Sequence, residues 1–151
     1  MSDHVTSYIP SDPTFVPSEG ADQAAIEFLR RSLQASVEIW SDTSDGIVFR
    51  DSGENFERVR CPSCRATIAM DTWQDWMTDD CDDQGYFKLN TIVTSCCDLA
   101  TTLNDLVYES PQGFSRYALS LRNAGGELGP QVHARLQDAL GCVLKSIRQM
   151  I

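Results

Sequence analysis

Basic residues, histidines and long apolar runs are all scarce in this chain. Twelve lysines and arginines stand against twenty-two acidic residues, which gives a formal net charge of −10 over 151 residues. Surfaces that bind nucleic acid or anionic membranes rely on Lys and Arg, so the charge disfavours both classes of ligand. It favours a basic partner or a solvated acidic surface. No apolar run reaches the roughly 18 residues of a membrane-spanning helix.

Familiar catalytic motifs are missing as well. The sequence has no nucleophile elbow, no P-loop and no dinucleotide-binding glycine motif. Of its two histidines, His4 lies near the start of the chain, and His133 lies beside the apolar stripe of a predicted helix. We therefore expect no enzymatic activity. Carboxylates between 75 and 83, or Asn104 with Asp105, keep a small carboxylate-dependent hydrolase open as the alternative.

The first residues, MSDHVTSYIPSDP, are polar and interrupted by proline. They lack the basic region followed by an apolar core that marks a secretory signal, so the predicted location is cytoplasmic. In the cytosol, cysteines are more often metal ligands or free thiols than structural disulfides. This expectation directs attention to the six cysteines of the chain.

The pattern of apolar residues predicts an α+β fold, in a single domain over 1–151, with antiparallel sheets and two to three helices. Two ferredoxin-like halves are compatible with the order of the elements. The predicted helices cover 21–35, 71–80 and 128–141, with Ser18 as the cap of the first and an Asp71–Gln74 capping box in the second. The predicted strands cover 8–9, 36–40 and 86–97, together with two hairpins, 47–50 with 56–61 and 101–109 with 113–123. The tail 142–151 fits helix spacing as well as strand alternation, and we favour a strand.

The motif CPSC, from Cys61 to Cys64, is typical of a zinc knuckle, because two cysteines around a tight turn can reach one metal ion. A closed tetrahedral site needs four ligands. The adjacent Cys96 and Cys97 follow a predicted strand, where a turn would bring both to the same ion. In this interpretation Cys97 takes the place of the last cysteine of a second knuckle, and Cys96 is the fourth ligand or a buried neighbour. Cys81 is the alternative fourth ligand.

Four cysteine ligands leave no position open for water, so the predicted Zn²⁺ is structural and belongs to a knuckle insert over 61–97. Binding energies of such sites reach roughly 10–16 kcal/mol in peptides, enough to decide whether the insert folds. The alternative is a set of free or redox-active thiols. CPSC fits a redox dithiol poorly, because that motif normally begins a helix after a strand.

An acidic run with two tryptophans follows the first cysteine pair. No basic residue occurs between Arg65 and Lys88. Aromatic anchors beside a negative field suit a basic protein partner, and the predicted contact residues are Trp73, Trp76, Asp75, Asp79, Asp80, Asp82 and Asp83. A solvated loop is the alternative. Calcium is disfavoured, because the run lacks alternating ligands and a closing glutamate.

Four motifs together resemble a group of small, uncharacterised bacterial proteins. The motifs are D-P-x-F-V-P at 12–17, G-E-N-F-E at 53–57, C-P-x-C at 61–64, and C-C followed by T-x-L-N-D-L at 96–106. The resemblance covers most of the chain and implies a zinc-binding fold. It implies no named activity. Asp98 stands where similar sequences often have glycine.

These features predict an acidic, zinc-stabilised binding protein that acts as a monomer or in a 1:1 complex, without nucleic acid or membrane. The most concrete form of the hypothesis is an inhibitor or immunity protein that covers the basic active site of a toxin, such as a nuclease. Besides the small hydrolase, an accessory zinc protein that scaffolds a complex or senses redox state remains an alternative.

Overall fold

The structure, a computed structural model, describes residues 4–53 and 55–150. Its elements follow in the order β1 (His4–Pro10), α1 (Glu19–Ser32), β2 (Glu38–Arg50), β3 (Arg58–Arg60), β4 (Thr67–Ile68), α2 (Met70–Asp80), β5 (Ile92–Val93), β6 (Ala100–Thr101), β7 (Val107–Glu109), β8 (Gly113–Arg122), α3 (Pro130–Leu140) and β9 (Leu144–Met150). The predicted α+β class is confirmed.

Four strands form the larger sheet, in the antiparallel order β2-β8-β1-β9. Together with α1 and α3 they make one βαββαβ unit, the arrangement of ferredoxin-like folds. The helices cover one face of the sheet, where Leu29 of α1 and Leu136 of α3 share a core with Tyr8, Leu119 and Leu121. The described part of the chain therefore contains one ferredoxin-like unit and not two halves.

Residues 51–112 interrupt this unit between β2 and β8, and the predicted insert at 61–97 lies inside this segment. Its strands form two small sheets, β4-β3-β7 and β5-β6. Its own core contains Val59, Trp73, Leu103 and Tyr108, and Phe114 of β8 joins the same cluster. The interrupting segment is thus packed on the larger sheet.

Helix ends agree with the local sequence signals in two of three cases. Ser18 caps α1 by accepting a hydrogen bond from the Ala21 amide at 3.1 Å. Helix α3 begins with Pro130 and ends before Gly141, whose φ of 81° suits a residue without a side chain. The capping box predicted in α2 is wrong: the helix begins at Met70, which places Asp71 inside its first turn.

Strand pairing differs from the prediction at both hairpins. Residues 38–50 form one long strand, β2, which pairs with β8 and has a register shift between Thr43 and Val48. Strand β3 pairs with β4 and β7, whereas its predicted partner, 47–50, lies in the larger sheet. The predicted partner of β8, 101–109, contributes β7 to the small sheet of β3 instead. Of the strand predicted at 86–97, only Ile92–Val93 is regular. Alternation shows which face a strand buries but does not identify its partner.

Within the described ranges, no helix is long and apolar enough to cross a membrane.

Candidate metal centre

The side chains of Cys61, Cys64, Cys96 and Cys97 converge on one point. Their sulfur atoms all lie within 4.8 Å of one another. The distance is 3.6 Å between the sulfurs of Cys61 and Cys97, and 4.0 Å between those of Cys96 and Cys97. Metal–sulfur bonds of about 2.3 Å in a tetrahedron require sulfur separations of roughly 3.8 Å. The cluster can therefore hold one metal ion.

The first cysteine pair lies on the turn between β3 and β4. The Cys61 amide donates to the Ala66 carbonyl at 2.9 Å, and the Arg65 amide donates to the Cys61 carbonyl at 3.0 Å. Arg65 adopts a left-handed conformation with φ 65°, which closes the turn. The turn buries Cys61 completely and leaves Cys64 exposed.

The second pair lies on an equivalent turn between β5 and β6. The Thr94 amide donates to the Leu99 carbonyl at 3.0 Å, and the Asp98 amide donates to the Thr94 carbonyl at 3.0 Å. Asp98 is left-handed, with φ 55°. Each residue stands 33 positions after its counterpart, so Asp98 corresponds to Arg65 and Cys97 to Cys64. The predicted place of Cys97 in a second knuckle agrees with this geometry.

Thr94 occupies the position that corresponds to Cys61. Its side chain is 1% exposed, and its hydroxyl lies 3.6 Å from the Cys97 sulfur while accepting the Leu99 amide at 3.0 Å. Because a hydroxyl that already accepts one hydrogen bond can donate another, Thr94 can donate to a Cys97 thiolate. Sequence reasoning missed this residue, although the 33-residue offset between the two turns could have revealed it.

Cys96 corresponds instead to Ser63 and is exposed. It reaches the cluster from outside the regular knuckle position. The alternative ligand, Cys81, lies at the end of α2, where its thiol approaches the Asp82 carbonyl at 3.5 Å. Cys81 is not one of the four grouped cysteines.

The turns also affect proton affinity inside the cluster. Hydrogen bonds from the backbone amides of Cys64 and Ser63 lower the pKa of the Cys61 thiol to about 6, against the opposing effect of burial, which raises it. Contact with the Cys64 thiol is the largest cause that raises the pKa of Cys96 to about 11. Because thiolates are the metal-binding form, the lowered pKa favours the state of Cys61 that can bind a metal.

Two residues predicted for the partner surface lie in the core. Trp73 is 8% exposed and donates from its indole nitrogen to the Tyr108 hydroxyl at 3.2 Å. Asp80 is 5% exposed and accepts backbone hydrogen bonds from Lys88, Leu89 and Asn90. Trp73 lies on the apolar face of α2, which packs into the core. Asp80 is buried because its carboxylate holds the backbone of the loop at 88–90.

The other predicted surface residues remain accessible. Asp75, Asp79, Asp82 and Asp83 are exposed. Trp76 is half-buried and lines a shallow cavity of about 210 Å³ together with Asp79 and other residues of the segment 79–92. The structure thus retains an acidic surface with one partly accessible tryptophan.

The alternative hydrolase residues are engaged in local contacts. Asn104 accepts a hydrogen bond from the Lys145 ammonium group at 3.3 Å, and Asp105 accepts one from the Thr102 hydroxyl at 3.0 Å. The first contact joins the turn before β7 to β9, and the second lies within that turn, so both side chains have a structural use.

Comparisons of the chain with models of protein families, with curated proteins and with solved structures found no match.

Proposed function

We propose that the protein is a non-enzymatic zinc-binding protein whose metal centre stabilises an acidic surface for a basic protein partner. The most concrete version is an inhibitor or immunity protein that covers the basic active site of a toxin, such as a nuclease. The observation that carries the proposal is the convergence of four cysteine sulfurs within 4.8 Å, in a segment whose helix α2 shares a core with Cys61 and exposes Asp75 and Asp79.

Zinc is the metal best suited to this set of ligands. Tetrahedral sites with four thiolates select zinc or iron–sulfur chemistry, and paired knuckles of this spacing are typical of structural zinc. Four thiolates also occupy every position of a tetrahedral ion, so no site for a catalytic water remains. The metal would join the turns of two separate small sheets and hold the intervening α2 in place.

Metal content tests this first part. Protein purified without added metal is expected to contain one zinc per chain. Treatment with a strong chelator should then reduce the near-ultraviolet circular dichroism of Trp73, because its contacts belong to the segment that the metal holds. Protein that contains no metal and shows no change with added zinc would contradict the proposal.

Charge and shape support the second part. Zinc with four thiolates adds −2 to the formal charge, which makes the net −10 of the chain still more negative. Asp75 and Asp79 are exposed on the helix that carries the half-buried Trp76, and Asp83 is exposed in the loop that follows. A dense negative field steers a basic partner, and an aromatic ring provides buried contact area once the partner has arrived.

A pair of matched variants tests the partner surface. Tagged protein is recovered from its own cells as wild type, as Asp75→Asn with Asp79→Asn, and as Glu27→Gln on α1 with Asp138→Asn on α3. All four carboxylates are exposed, and both variants remove the same charge. We expect a basic protein in 1:1 ratio with the wild type and the second variant, but much less with the first.

The captured protein then identifies the function. A purified basic nuclease or other toxin whose activity falls on addition of the wild type, and falls less with the first variant, supports inhibition. Equal recovery with both variants, or recovery of no basic protein at all, would reject the acidic surface as the binding site.

A further inference from the structure

One position of the metal centre differs from the other three. Cys61, Cys64 and Cys97 occupy regular positions of two equivalent turns, whereas Cys96 stands at the position of Ser63. The regular fourth position belongs to Thr94, which is buried against the Cys97 sulfur. The deeply placed ligand site is therefore filled by a hydroxyl, and the fourth sulfur comes from the exposed side.

We propose that this fourth position is exchangeable: Cys96 fills it in the free protein, and a thiolate from outside can take its place on the metal. The proposal rests on the metal binding proposed above. It adds a ligand class, thiols, and a location, the solvent-facing side of the cluster at Cys96.

Only Cys61 of the four cysteines is buried, so position in the two turns, and not exposure, distinguishes Cys96 from Cys64 and Cys97. Cys61 has no exposed surface, and backbone amides of its own turn surround its sulfur. Cys97 contacts both Cys61 and Thr94, at 3.6 Å each. Cys96 is exposed, and its sulfur lies farther from Cys97, at 4.0 Å. Because Cys96 lies outside the regular ligand positions, an incoming thiol can replace it while both turns keep their backbone hydrogen bonds.

The exchange is a simple ligand substitution. The bond between the metal and the Cys96 sulfur breaks, a bond from the metal to the incoming sulfur forms, and the proton of the incoming thiol moves to Cys96. Charge at the metal and all oxidation states stay unchanged. A small thiol and a cysteine of a protein partner offer the same chemistry, so either can supply the ligand.

Chemical rescue in the cobalt-substituted protein tests the exchange. Wild type loaded with Co²⁺ should show the sulfur-to-cobalt absorption of four thiolates, and Cys96→Ser should lose roughly a quarter of it, since three of four sulfurs remain. Adding 2-mercaptoethanol to Cys96→Ser should restore the four-thiolate spectrum. Cys61→Ser, which removes the buried ligand, should not be restored.

An internal rescue tests the role of Thr94. Thr94→Cys placed in the Cys96→Ser background should recover the four-thiolate spectrum without added thiol, because it returns a sulfur to the regular position. Ser95→Cys in the same background places a thiol on the same exposed turn at the position that corresponds to Pro62, and should not recover it.

A second thiol identifies the source of the ligand. A lysine-rich peptide with one cysteine is compared with 2-mercaptoethanol on Co²⁺-loaded Cys96→Ser. Rescue by the peptide at tenfold or more lower concentration indicates a partner's cysteine, and equal concentrations indicate a small thiol.

The outcomes separate this proposal from the previous one. If the wild type binds no Co²⁺, the proposed metal centre itself is wrong. If the wild type shows the four-thiolate spectrum but neither thiol restores Cys96→Ser, or Cys61→Ser is restored equally well, the exchangeable position is rejected while the metal centre stands.

Discussion

Replacing Asp80 by asparagine is expected to destabilise the protein, because one buried carboxylate holds three consecutive backbone amides. Its two oxygens accept from Lys88 at 2.9 Å, from Leu89 at 2.8 Å and from Asn90 at 2.8 Å. Leu89 is left-handed, with φ 55°, a conformation that costs a residue with a side chain roughly 1–2 kcal/mol. The carboxylate therefore stabilises a loop that would otherwise relax.

The expected loss follows from the hydrogen bonds. Each bond to a charged group contributes roughly 1.5–3 kcal/mol, and asparagine keeps one oxygen while turning an N–H donor towards the remaining amides. Lys88 and Asn90 are exposed, so water can replace part of the loss. We therefore expect a decrease in the free energy of unfolding of about 2 kcal/mol. For a chain of this size, that corresponds to a melting temperature lower by about 4–8 °C.

Urea unfolding in the presence of excess zinc, followed by tryptophan fluorescence, measures this difference. Asp79→Asn is the matched control, because it removes the same charge from the preceding residue of α2, where the side chain is exposed. The control should change the free energy by no more than about 0.5 kcal/mol. Equal midpoints for the two variants, with equal slopes, would refute the structural role of Asp80.

Two further predictions concern packing and charge. Gly46→Ala should lower the free energy of unfolding in urea by about 1–3 kcal/mol, because its new methyl group would lie 2.4 Å from the Tyr86 ring. Gly20→Ala, whose methyl group would meet no atom within 4 Å, should instead stabilise α1 by about 0.5–1 kcal/mol. The Arg60 guanidinium, by hydrogen bonding to Glu109, lowers the pKa of that carboxyl. The stability that Glu109 provides is thus present above its usual pKa of about 4.3 and is lost as pH falls through the lowered value. The difference in urea midpoint between wild type and Glu109→Gln should therefore shrink below about pH 4.

The helices were predictable because their information is local. Ser18, Pro130 and Gly141 each act on the nearest turn of backbone, and the apolar stripe of each helix is complete within its own sequence. Strand partners were not predictable in the same way. Ser120 of β8 pairs with Ser7 on one side and Trp40 on the other, across at least 80 residues. Because residues 51–112 separate β2 from β8, no local sequence pattern can indicate these pairings.

The clustering of the four sulfurs was predictable from chemistry, but their unequal positions in the two turns were not. The motif C-x-x-C predicts both the two ligands and the turn that joins them, whereas the adjacent Cys96 and Cys97 indicate only two neighbouring thiols. What distinguishes them is backbone geometry: the left-handed Asp98 places Cys97 where Arg65 places Cys64, and so leaves Thr94 at the remaining ligand position. A non-glycine residue in this conformation carries strain, which persists only where the surrounding contacts outweigh it. The amide bonds of the turn, and a metal that draws Cys97 to Cys61, would supply that compensation together.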